Sequence, residues 1–143
     1  MWRPSDISEI EEVTAKEGSW IILIKSATNV LKGDNFVFVY PELLLNKIIV
    51  RKGEILTSEI LVKKDFDYKN INSKIKTLLR KTSDKIKSRG SIVNEITTRG
   101  DFIKKIRDSI EANLKNKYLI EVVSLKDSKT AESIIVELNI TQL

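Results

Sequence analysis

Ile71-Asn-Ser-Lys-Ile75-Lys-Thr-Leu78-Leu79-Arg-Lys-Thr-Ser-Asp-Lys-Ile86-Lys87 is the stretch in which the chain changes its hydrophobic period. Apolar residues at 71, 75, 78, 79 and 86 fall at i, i+4, i+7, i+8 and i+15, which lines one side of a helix. Arg89-Gly90 supplies the stop. Upstream, apolar residues come in short β-rich blocks. The fold class expected is therefore α+β, with strands first and helices after.

Working back toward the N-terminus, residues 55–63 read as a strand, and Gly53-Glu54 as the tight turn before it. Residues 47–52 (Lys-Ile-Ile-Val-Arg-Lys) read as another strand. Residues 42–47 read as one helical turn. Residues 36–40 (Phe-Val-Phe-Val-Tyr) form a strand stopped by Pro41. Lys32-Gly33-Asp34-Asn35 is a turn. Residues 19–26 form a strand with both faces largely buried. Ser5 caps a short helix over 6–17, in which Ile7, Ile10 and Val13 share a side and Gly18 closes the end. The four strands are expected to pair as a meander.

Working forward, Ser91 caps a short helix over Ile92, Val93 and Ile96. Thr98 caps the next, with Asp101 three residues on in a capping-box arrangement. Phe102, Ile103, Ile106, Ile110 and Leu114 give that helix its apolar side. Two to three central amphipathic helices are therefore expected. Residues 118–125 and 133–141 form a β-hairpin about the turn Lys126–Lys129. The preferred arrangement has this hairpin joining the N-terminal strands in one sheet. Residues 1–143 are read as a single domain, with a sub-boundary near 64–70, where Asp65, Asp67 and Asn70 interrupt the pattern.

Charge is distributed unevenly. Residues 63–89 hold ten Lys/Arg against three Asp/Glu, a balance of +7, whereas the whole chain carries +5. Residues 90–117 are nearly balanced, with six against four, and both ends are mildly acidic. Along the helix, Lys74, Lys81 and Lys85 form one strip; Lys76, Arg80 and Lys87 form a neighbouring one, with Asp84 between. Six cations on the polar side of three to four helical turns suit a phosphate backbone. The expected function is thus non-enzymatic binding of a polyanion, with nucleic acid as the first candidate. The candidate contacts are Lys74, Lys76, Arg80, Lys81, Lys85, Lys87, Arg89, Arg99, Lys104 and Lys105. Tyr68 is the one aromatic nearby, which is thin support for base stacking. The alternative is an interaction or assembly module, in which the basic side meets an acidic protein or the acidic first helix of a homo-oligomer mate.

Residue types that are missing narrow the chemistry. The chain has no cysteine and no histidine. Disulfides, thiolate zinc sites and Ser-His or Cys-His catalysis are excluded. The five glycines are isolated, so no glycine-rich phosphate loop is present. No cofactor is expected. Asp67-Tyr68-Lys69 and Asp127-Ser128-Lys129 match the Asp-x-Lys pattern of Mg²⁺-dependent nucleases, but neither lies on an apolar strand. The apolar runs are too short to span a bilayer, and residues 1–6 lack a signal-peptide layout, so a cytoplasmic protein without a membrane partner is expected. Trp2 and Trp20 read as core aromatics. Abundant Ile and Lys, with a single glutamine at Gln142, fit a thermophilic source or an AT-rich genome.

The order of elements over residues 71–141 resembles a winged-helix DNA-binding module. Ile103-Lys104-Lys105-Ile106-Arg107 would then lie on the recognition helix, and Lys117 through Val123 on the first wing strand. The resemblance implies Arg99, Lys104, Lys105 and Arg107 as DNA contacts, although Asp101, Asp108 and Glu111 share the same helix. Phe36 through Pro41 and Ile120 through Val123 also look similar to segments of the band-7 (stomatin-like) domain. The central strand of that domain has no counterpart at 63–70, and no residue role is carried over.

Overall fold

The computed structural model describes residues 19–26, 38–93, 95–113 and 115–143. The expected helix over 6–17, the turn at 32–35 and Trp2 lie outside the described residues. The chain divides into two compact units, Met1–Lys47 and Ile48–Leu143. It is of the α+β class.

In the first unit, β1 (Trp20–Ser26) pairs antiparallel with β2 (Val39–Leu45), from Trp20 opposite Leu45 to Ser26 opposite Val39. Two expectations change here. Pro41 lies inside β2, opposite Ile24, rather than ending it, and residues 42–45 are strand rather than helical turn. In a two-stranded sheet each strand keeps one unpaired edge, where a proline's missing N–H costs no ladder bond. Nor is β1 buried on both faces: Ile24 is 61% exposed. Trp20 is half-buried. Glu42 hydrogen-bonds the Lys25 ammonium and, by that bond and its charge, raises the Lys25 pKa above 10.5.

The second unit contains β3 (Ile48–Val50), β4 (Ile55–Val62), a 3₁₀ turn (Lys63–Asp65), α1 (Tyr68–Ser88), β5 (Ile96–Thr98), α2 (Phe102–Asn113), β6 (Lys117–Ser124), β7 (Ser128–Lys129) and β8 (Ile134–Gln142). The main sheet runs β4-β6-β8-β5. β6 is antiparallel to both neighbours, and β5 lies parallel to β8. The expected meander is not formed. β3 pairs with β7, and β4 pairs with β6, so the pairings are long-range. Hydrophobic pattern marks a strand but not its partner. Gly53 makes the turn before β4 at φ 83°, a left-handed conformation that glycine adopts without steric cost.

The hairpin of β6 and β8 joins a sheet as expected, but with β4 alone of the expected N-terminal strands, β1 and β2 pairing with each other and β3 with β7. It does so at the centre, with β6 bonded on both edges. The hairpin strands are bonded to β4 and β5, and a strand separates the two helices that precede them, so the three helices followed by a separate wing are not formed. The short helix expected over Ile92, Val93 and Ile96 is not among the described elements, Ile96–Thr98 being β5, and the two helices on either side are within the two to three expected.

α1 forms where the stripe predicted. Asp67 caps it, accepting from the Asn70 N–H at 2.8 Å. Ile71, Ile75, Leu78, Thr82 and Ile86 are buried against the sheet. The Thr82 hydroxyl bonds the Leu78 carbonyl at 2.8 Å and the Thr57 hydroxyl of β4 at 2.7 Å, so this buried polar group is satisfied. For α2, Asp101 is itself the cap, accepting from the Lys104 N–H at 3.2 Å, while Thr98 ends β5. Phe102 and Ile106 bury, and Tyr118 of β6 fills the core beneath. The Tyr118 hydroxyl accepts from the Lys115 N–H at 3.1 Å and donates to the Ser109 carbonyl at 3.4 Å. Residues 64–70, the expected sub-boundary, form part of the 3₁₀ turn and the start of α1 within this unit. No described helix is long and apolar enough to cross a membrane.

Candidate polyanion-binding face

The buried stripe of α1 fixes the direction of every other side chain on it. At about 100° per residue, Lys74, Lys81 and Lys85 sit on the shoulder of the helix beside β4. Lys76, Arg80 and Lys87 sit about 140° further round, and Lys69 falls in line with them. The two strips therefore occupy different sides of α1 and do not form one six-cation surface.

The shoulder strip is engaged. Glu59 of β4 sits between Lys74 and Lys81, at 3.5 and 3.8 Å. Lys85 donates to the Leu56 carbonyl at 3.0 Å. The register of β4 against β6 shifts between Ile55 and Thr57, and the lysine satisfies a carbonyl there. At the helix end, Arg89 pairs with Glu54 and donates to the Ile49 carbonyl at 3.0 Å, which ties β3 to α1. On α2, Lys105 donates to the Leu138 carbonyl, on β8 beyond the last residue that β5 pairs.

The outer row is different. Lys69, Lys76, Arg80 and Lys87 are all exposed and make no ion pair or side-chain hydrogen bond among the described residues. They span about 27 Å of helix at 1.5 Å per residue. Arg99 and Lys104 are likewise exposed and without a side-chain partner among the described residues. Of the ten expected contacts, Lys76, Arg80, Lys87, Arg99 and Lys104 are available. Lys74, Lys81, Lys85, Arg89 and Lys105 serve the fold. Lys69 was not among those ten, although the helical period places it in the row.

A second feature, absent from the sequence reading, is a cleft of about 450 Å³ lined by Tyr68 and by Ile103, Lys104, Arg107, Asp108 and Glu111 of α2, together with Asp101. The 3₁₀ turn places Phe66 against Tyr118, with ring centroids 5.7 Å apart and planes at 60°, and this anchors the entry to α1 beside the cleft.

The two Asp-x-Lys matches do not share a site. Asp67 caps α1, next to the Val62 end of β4, which pairs with Lys117. Asp127 accepts from the Lys52 N–H at 2.7 Å, beyond the Ser124 end of β6. The length of β6, about 23 Å over seven residue steps, separates them. Among the described residues no group of three or more acidic side chains is placed to hold a metal ion.

No protein-family model, curated protein or solved structure matches this chain.

Proposed function

We propose that this chain binds nucleic acid through its phosphates, using the outer row Lys69, Lys76, Arg80 and Lys87 of α1. The observation that supports the reading is that these cations are exposed and uncommitted, although carboxylates elsewhere in the unit pair with lysines. A row of cations without intramolecular partners raises the local concentration of a polyanion and contacts it without first breaking an ion pair.

Titrating labelled random-sequence duplex into the protein across a range of salt tests the reading. Binding should strengthen as salt is removed, with log K falling by about 3 to 4 per decade of salt for three to four phosphate contacts. No binding at low ionic strength would refute it. Should the chain instead double in mass at low salt, or capture only acidic protein, the same row would be read as an assembly surface. Mass measurement at low and high salt reports that outcome.

A further inference from the structure

We infer that the cleft beside Tyr68 receives one unpaired nucleobase of the bound strand, with guanine the best fit; this rests on the phosphate-binding reading above. Tyr68 and Lys69 are consecutive, so the cleft opens where the outer row begins. A strand following the row therefore brings its next nucleotide to the cleft.

The lining selects a base over a phosphate. Lys104 and Arg107 contribute two positive charges, and Asp101, Asp108 and Glu111 contribute three negative ones. That balance repels a further phosphate. It suits a flat, neutral group with donors on one edge and acceptors on another. Tyr68 is 61% exposed, which leaves its side chain open to stacking with a base. Ile103 adds apolar surface. Lys104, Arg107, Asp108 and Glu111 have no side-chain partners among the described residues. Guanine answers both sets: its O6 and N7 accept from Arg or Lys, and its N1–H and N2–H donate to a carboxylate. Thymine offers only one imino donor. A volume of about 450 Å³ lies within the range of small-ligand sites. A single aromatic fits a single base, not a stacking platform.

The test compares two labelled single strands of equal length in fluorescence anisotropy. One is wholly abasic; the other carries one guanine. At low salt the guanine should strengthen binding about tenfold, and a thymine in its place should give less. Tyr68→Ala should remove the gain and leave abasic-strand affinity unchanged, while Tyr68→Phe should retain it. Thermal melts of both variants check that they fold. Equal binding of the two strands, or a gain that survives Tyr68→Ala, overturns this inference alone. Duplex that binds while neither strand does overturns this inference alone; if duplex and both strands fail to bind at low ionic strength, the phosphate reading falls and this inference with it.

Discussion

The two basic strips of α1 have nearly the same composition and opposite fates. Lys74, Lys81 and Lys85 lean on β4, where Glu59 and the Leu56 carbonyl occupy them. Lys69, Lys76, Arg80 and Lys87 face away from the sheet and meet nothing among the described residues. The difference arises from the helical period acting on a fixed buried stripe. A lysine one position along the chain turns about 100° and exchanges a carboxylate for solvent. Net charge over a segment thus overstates what a partner can reach.

The comparison fails altogether if the stripe is lost. Leu78 is 1% exposed, and Leu78→Ala should destabilise the second unit by about 3 kcal/mol, read as a lower midpoint in denaturant. A sharper test uses neighbours. Arg80→Glu and Lys81→Glu change net charge equally but lie on different strips. Arg80→Glu should weaken duplex binding about tenfold at low salt, and Lys81→Glu about threefold or less, as measured by anisotropy. Equal losses would mean that only net charge matters. Asp67→Ala removes the α1 cap and should cost about 1 kcal/mol of stability in the same denaturant titration. The smallest effect is expected from Glu59→Gln. It frees Lys74 and Lys81, so nucleic-acid affinity should rise about twofold while stability falls by less than about 1 kcal/mol, the ion pairs being partly exposed.

Much of the fold was legible, and the parts that were not share a cause. The α1 stripe is long enough to state its period, and β4, β6 and β8 are each rich in β-branched and apolar residues, with turn residues before β4 and between β6 and β8. Ile92, Val93 and Ile96 were too few to separate helix from strand. β5 exists because Ile96–Thr98 finds β8, a partner about 40 residues away. Pro41 suggested a strand end, but a two-stranded sheet has room for it on an open edge. For the candidate site, the basic residues were plain in the sequence, but their commitments were not. Glu59 reaches Lys74 and Lys81 only because β4 and α1 pack together. The Tyr68 cleft needs the docking of α2 beside the start of α1, for which residue spacing carries no signal.

The central claim is that the outer row, and not the basic segment as a whole, contacts the polyanion. It is tested most directly by the salt dependence of duplex binding for the wild type, for Lys76→Ala/Arg80→Ala/Lys87→Ala and for Lys74→Ala/Lys81→Ala/Lys85→Ala. Each triple variant removes three positive charges. The outer-row variant should flatten the slope of log K against log salt by about 3, while the shoulder variant should leave it within about 1 of wild type. Equal flattening by the two variants, or an unchanged slope in the outer-row variant, would contradict the account.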